Sequence, residues 1–538
     1  MFEKLLKACK GLDKAEASSS NMREDILQLV HDGVTTKDLN EFLSSDIDES
    51  DHITVLWAAY AIIKTIGKDV KSGYGRNGDE INDAALGISD RISSIILPIC
   101  SNDPLDKDKT DYDLLRRKGV LGFMIIQEIL KLPHNTPLQF RSSTLLNLAA
   151  FTDTRDPWAE PRASDGLQDI LSAQTQTLGD AQLRTFIVED ILTGFIRPLF
   201  SKSRPAAVTA SGRKAEFVEP SRYDTADRDS PETKPWKYAR RYAVTVFGWA
   251  VLHADTPLLQ THWPLFTPAL LTLLDEPQSI GLKVKGIGIF HDFWSRCPPG
   301  LMQNTGLASV FEEAIFPAVL YLPSLTPVDE SVQILRVAYP ALIKMAGLED
   351  SAPQVGPREG QQKQVTEAQR KLLDKIIREG IMVGYHHAKE HARLVRVLCE
   401  MLVCIIEGMG ILAVKHLKDF IPMACEIMTD PFGPKDLGGL ASATILLQSI
   451  LRNCWPRIPH YCDEVIKILM LCWLNIEDEE WSSDDMTSVN GLKGLLTESA
   501  DMLSAIMKAA QLDFNERVGP LIKIEPQLSK LFRERNSA

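Results

Sequence analysis

The densest group of residues able to hold a metal is the histidine cluster His386, His387 and His391 in HHAKEH. His387 and His391 are four apart, a spacing that shares one face of a helix. Zinc needs at least a third protein ligand, however, and no HExxH pattern supplies one. His291 and Asp292 are adjacent, so on a helix they point in different directions and make a poor acid–base pair. Gly286 and Gly288 in KGIGIF lack the third glycine and preceding strand of a dinucleotide site, and no phosphate-binding GxxxxGK loop is present. Their small size instead suits close helix packing. Ser482 has an acidic residue three positions later, which makes it a candidate phosphorylation site on an acidic loop.

Nine cysteines are scattered through the chain without a CxxC pair, and many fall inside apolar helical patterns. Core thiols in a reducing compartment are the expectation, rather than a disulfide framework or zinc. No nucleophile, base and orienting acid can be grouped, so no catalytic residue, cofactor or metal is expected.

The elements that carry these residues read as helices almost throughout. Periodic segments cover Arg23 to His31, His52 to Ile66, Ile81 to Ile99, Tyr112 to Leu132, Leu138 to Ala150 and Ala181 to Leu199. Asp111 is placed to cap the helix opening at Tyr112, with Asp113 in its first turn. Further along, Lys237 to His253 forms a helix. It is followed by HWPLFTPALLTLLDEPQSIGLKVKGIGIFHDFWSRCPP, His262 to Pro299, which reads as two amphipathic helices meeting at Asp275, Glu276 and Pro277. Phe266, Leu270, Leu273 and Leu274 form the apolar face of the first. Ile280, Val284, Ile287, Phe290 or His291, and Trp294 form that of the second. Leu307 to Leu320 is another helix. Thr326 caps the next, with Pro327 at its first position, and Pro340 should kink it. Ala368 to Gly380, Tyr385 to Gly408, Glu464 to Leu474, Asn490 to Ala510 and Val518 to Phe532 complete the series.

A hairpin of two such helices cannot bury its apolar faces alone and needs neighbours, which is the condition for a solenoid. The pattern of His262, Phe266, Pro268, Asp275 and Pro277 returns as His416, Phe420, Pro422, Asp430 and Pro431. Each unit is followed by a helix ending near a tryptophan and an arginine, Trp294 or Trp455. The expected fold class is therefore all-α, a HEAT-like helical-repeat solenoid or α-α superhelix. The organisation is amino-terminal repeats over 1–200, a polar linker or insertion over 201–235, central repeats over 236–346, a polar loop over 347–366, and carboxyl-terminal repeats over 367–538. In the linker, Lys202, Arg204, Arg213 and Lys214 could attract an acidic partner.

Over 538 residues the formal net charge is -13 and 44% of residues are hydrophobic. Wholesale disorder is excluded, and direct nucleic-acid binding is disfavoured because it relies on many phosphate neutralisations. The amino terminus reads as a short amphipathic helix rather than a secretory signal. The longest greasy segments, Gly119 to Leu130 and Arg393 to Val414, carry charges and read as too short to span a membrane, so a soluble chain without membrane contact is expected. Protein partners fit best. Candidate structural or interface residues are Trp249, Trp263, Trp294 and Trp455, which join large apolar area to a polar edge. The charged corner of Asp275, Glu276, Lys283 and Lys285 is placed to set the register of a partner.

LLTLLDEPQSIGLKVKGIGIFHDFW, followed by NTGLASVFEEAIFPAVLYLPSLTPVDESVQILRVAYPALIKM, resembles the Tti-two family, the smaller Tel-two-interacting proteins of the TTT cochaperone complex. The series rests on Asp275 to Pro277, Lys283 to Gly288, Trp294, Thr305 to Leu307 and Phe316 to Thr326. The likeness is clearest from Trp236 to Met345. It implies a non-enzymatic helical-repeat subunit that assembles with the Tti-one and Tel-two proteins. It further implies indirect work with Hsp90 and R2TP in maturing phosphatidylinositol-3-kinase-related kinases, including TOR and the DNA-damage kinases, with a role in telomere maintenance and a cytoplasmic and nuclear location. The competing reading is a general HEAT-like adaptor, such as a transport or phosphatase scaffold.

Overall fold

The computed structural model describes residues 2–10, 30, 36–44, 47–71, 78–102, 110–132, 134, 137–215, 229–276, 279–348 and 366–532. All of the expected helix from Arg23 to His31 except Val30, most of the Ser101 to Asp111 loop, and the polar segment after Leu348 lie outside them. Among the described residues the protein is all-α and built as helical repeats, and its one strand-like feature is an isolated antiparallel bridge between Val208 and Lys214. The chain divides into two compact units. One is Met1–Leu273 with Arg296–Leu307, and the other is Leu274–Ser295 with Ala308–Ala538. The division falls between Leu273 and Leu274, so all but the last residue of Thr256–Leu274 and all but the last residue of Ile280–Arg296, read from sequence as one hairpin, belong to different units.

In the first unit, Phe2–Cys9 buries Leu5 and Cys9 against His52–Lys71, whose own buried face includes Leu56, Ala59 and Ile63. That helix packs on Tyr112–Leu130, which starts where expected: Asp111 accepts a 2.9 Å hydrogen bond from the Leu114 amide. The helix Pro161–Thr185 was not anticipated. Glu160 caps it by accepting from the Ala163 amide at 2.8 Å, and Pro161 occupies its first position. Its buried residues include Ser164, Gln174 and Thr175 beside Leu167 and Leu171, which leaves too few apolar residues to mark a face. Gly179, at φ 73°, breaks it, a conformation that costs glycine little. The chain then runs as a π-helix over Phe186–Ile196 into Arg197–Phe200.

Part of the expected linker is structural. Thr209 and Arg213 pair across a tight turn, Val208 is buried, and Trp236 is fully buried against Phe200 with ring centroids 5.0 Å apart. The aromatic column continues through Phe247 to Phe266.

In the second unit, Val328–Met345, Ala392–Met409, Leu437–Cys454 and Met486–Ala509 pack in succession as one layer, and Leu417–Met428 and Cys462–Glu477 pack as another. Matching ends of neighbouring helices are joined by ion pairs: Arg396 meets Asp436 at their amino ends at 2.6 Å, and Arg452 meets Glu407 at their carboxyl ends at 3.0 Å. Arg393 likewise meets Asp329 at the amino ends of Ala392–Met409 and Val328–Met345, so these three helices are parallel. Such half-exposed pairs add little stability singly and serve mainly to fix register.

Two expectations are corrected here. The helix after the Leu322 turn begins at Val328, with Pro327 as its cap residue in extended conformation and no side-chain cap from Thr326, which is buried. Pro340 lies inside this helix, which runs on to Met345. The second concerns Ala392–Met428, which is long and apolar enough to cross a membrane by length and composition, with a window of mean hydropathy 2.2. Half of that window is buried within the protein. The chain also breaks at Gly410, with φ 54° and ψ -132°, to give a pair of core helices joined by the 3-10 turn Gly410–His416.

Burial sets a pH dependence. His52, His253 and His416 all have depressed pKa values, with desolvation the largest cause in each. They fold as neutral rings: the Lys118 ammonium donates to His52 Nδ1 at 3.1 Å, and His416 Nε2 donates to Asp374 Oδ1 at 2.9 Å. On unfolding, each binds a proton more readily than when folded. Their contribution is present above the ordinary histidine value of about 6.5 and is lost as pH falls through it toward the folded values. The thermal midpoint is expected to drop between pH 7.5 and pH 5.5. A flat profile across that range would contradict it.

Candidate protein-interaction surface

Chemistry is not assembled at the histidine cluster. The helix Val383–Ala388 ends before His391, which instead precedes Ala392–Met409, so His387 and His391 do not share a helix face. His386 and His387 are exposed, with rings 5.4 Å apart. Among the described residues, no group of three or more His, Cys, Asp or Glu side chains is placed to hold a metal. Burial pushes the thiol pKa of Cys9 up to about 11 and those of Cys297, Cys399, Cys454 and Cys472 up to about 12, which keeps them protonated and poorly nucleophilic.

The charged corner differs from its reading. Asp275 is exposed, but Glu276 is 1% exposed and Lys283 is 5% exposed. The buried face of Ile280–Arg296 is Lys283, Gly286, Ile287, Ile289, Phe290 and Phe293, rotated from the expected one. Lys283 fits there because its apolar stem lies along that face while Nζ sits 5.1 Å from the Tyr321 ring centroid and 3.4 Å from its hydroxyl. Lys285 is half-buried. The corner is therefore architecture more than contact surface. Gly288 does not mediate close packing, since a Cβ there would meet nothing within 4 Å.

The tryptophans separate cleanly. Trp249 is buried, 4.1 Å from the His253 ring and edge-on to Phe186. Trp294 is half-buried on Phe290 and Phe311, and Trp263 is also half-buried. Of nine tryptophans, all among the described residues, Trp455 alone is exposed, at 54%. It opens the 3-10 turn Trp455–Tyr461, where Pro456, Arg457 and His460 are exposed around the buried Ile458. In the repeat comparison, Phe266 and Phe420 are both buried. The histidines part company: His262 is exposed, whereas His416 is buried beside Asp374.

Trp455 has company that sequence reading missed. The parallel helices Ala392–Met409 and Leu437–Cys454 place the turns after them on one edge of the second unit. Those turns expose Ile411 and Leu412, then Trp455. The first turn packs against Leu437–Cys454 and the second against Met486–Ala509, so neighbouring turns stand about one helix spacing, ~10 Å, apart. An apolar stripe with an exposed tryptophan and basic rim residues has the composition of a protein-binding surface. Ile411 and Leu412 lay hidden inside an apolar run, and the only signal was the glycine at 410. Ser482 is exposed, as a modification site requires, and its Oγ donates to Asp485 Oδ2 at 2.7 Å.

A family model described as the Tti2 family matches residues 144–435. No curated protein matches the chain. Among solved structures, the crystal structure of SYS-1 is similar at 12% identity over 93% of this chain and 100% of that one, with a TM-score of 0.28, too low to carry an argument.

Proposed function

Because the chain belongs to the Tti2 family, we propose that it is a non-enzymatic scaffold subunit of the TTT complex, supporting Hsp90-dependent maturation of phosphatidylinositol-3-kinase-related kinases. The single observation that carries this reading is the family match over 144–435, which spans helices of both units. Binding is the whole of the activity: the chain joins Tti-one and Tel-two proteins stoichiometrically, and reaches Hsp90, R2TP and the kinases through them. The apolar edge at Ile411, Leu412 and Trp455 supports such a role because stable assembly needs buried aromatic and aliphatic anchors. The site of action is cytoplasmic and nuclear.

Purifying the tagged full chain from its own cells tests this. Recovery of a large Tti-one-like subunit and a Tel-two-like subunit in equal amounts is expected, and depletion of the chain should lower the steady-state level of the kinases. Recovery of nuclear pore components or a phosphatase, without a Tti-one-like subunit, would identify a general adaptor instead.

A further inference from the structure

A second surface feature lies in the first unit and does not depend on which complex the chain joins. Pro264 and Pro268 sit inside the helix Thr256–Leu274. Lacking an amide hydrogen, Pro268 leaves the Pro264 carbonyl without its helical donor. The turn after Val208 closes over that spot. Thr267 Oγ1 donates to the Gly212 carbonyl at 2.6 Å and approaches the Pro264 carbonyl at 3.3 Å. Gly212, at φ 79°, presses so close that a Cβ there would lie 1.8 Å from the Pro264 oxygen. Only glycine fits, and the turn is held as a wall.

Between this wall and Arg197–Phe200 is a cavity of about 390 Å³, floored by Phe200 and Ala269 and sided by Leu265 and Pro268. Its size is at the lower end of ligand-binding pockets. Arg197 and Arg204 stand at its margin, both exposed and with no hydrogen-bond or ion-pair partner among the described residues, and no carboxylate lines it. In a chain of net charge -13, these two guanidiniums give the mouth of the apolar hollow a local positive charge. Two other basic groups of this unit are paired, Arg184 with Asp255 at 2.5 Å and Lys237 with Asp229 at 2.7 Å.

We propose that this pocket docks an acidic segment of a partner protein that carries a bulky apolar side chain. The apolar side chain fills the cavity, and flanking carboxylates take the Arg197 and Arg204 guanidiniums, whose planar donors match carboxylate oxygens. Two cations are too few to hold a nucleic-acid backbone, whereas they suffice to orient one short peptide.

The test uses the full chain and a fluorescein-labelled short peptide with a Phe-Leu pair between runs of Asp and Glu, read by anisotropy. Two companion peptides replace the Phe-Leu pair by Gly-Ser, or the acids by their amides. The first peptide is expected to bind, and each companion to bind at least about tenfold more weakly. Arg197→Glu with Arg204→Glu should weaken the first peptide at least about tenfold. Ala210→Trp, which blocks the mouth from an exposed position, should do the same while leaving both guanidiniums in place. Circular dichroism and thermal melts establish that both variants fold. Absence of binding, equal binding of the Gly-Ser peptide, insensitivity to Ala210→Trp, or displacement by equimolar inorganic phosphate would each overturn the proposal.

Discussion

Trp236→Ala is expected to destabilise the first unit by about 3–5 kcal/mol, the range for deleting a fully buried large aromatic. Trp236 has no exposed surface, stacks on Phe200 with an interplanar angle of 9°, and donates its indole hydrogen to Ser203 Oγ at 2.9 Å. Removing it opens a void at the head of the column that runs through Phe200, Phe247 and Phe266, and frees the strap around Ser203 from the helix Tyr242–His253. Trp236→Phe keeps the stack and loses the hydrogen bond and part of the volume, so its cost should fall between wild type and alanine. Chemical denaturation followed by far-UV circular dichroism measures both. A loss below about 1 kcal/mol for the alanine variant, the usual range for surface positions, would show that the segment before Tyr242 only lies on the core.

That same residue shows where sequence reading stops. Trp236 reads as the first residue after a polar linker, because the stretch before it has no apolar period, whereas its partners are Phe200, just before the linker, and Ser203, at the linker's start. Contacts of that kind join residues far apart in sequence and leave no local pattern. Helices with one clear face were legible: Phe266, Leu270, Leu273 and Leu274 are all buried as their spacing demands. The Asp111 cap was legible too, since a carboxylate ahead of an apolar run meets free amides whatever the tertiary context. Faces mixing a lysine with glycines were not. In Ile280–Arg296 the apolar period admits two registers, and the choice was made by Tyr321, a residue that gives the Lys283 ammonium a ring and a hydroxyl. The family likeness was readable from Trp236 to Met345 and the match extends from 144 to 435, yet the exposed tryptophan lies beyond it at 455.

Paired substitution of Leu412→Asp and Trp455→Asp should lower affinity for the TTT partner subunits by about 30-fold or more, corresponding to about 2 kcal/mol for removing an aromatic anchor. Both side chains are solvent-facing, at 41% and 54% exposure, so the folded chain gives up little packing and its melting temperature should stay close to wild type. Placing carboxylates there also burdens any complex with desolvating a charge against an apolar partner surface. Leu325→Asp is the matched control, since Leu325 is 94% exposed at a turn preceding a helix of the same layer, on its opposite edge. It should bind as wild type does. Co-expression of each variant with the partner subunits, followed by capture and titration, separates the outcomes. Equal loss from Leu325→Asp would point to general surface apolarity, and no loss from the pair would move the interface off this edge. A selective loss at Leu412 and Trp455 would make these two successive turns the surface through which the scaffold is held.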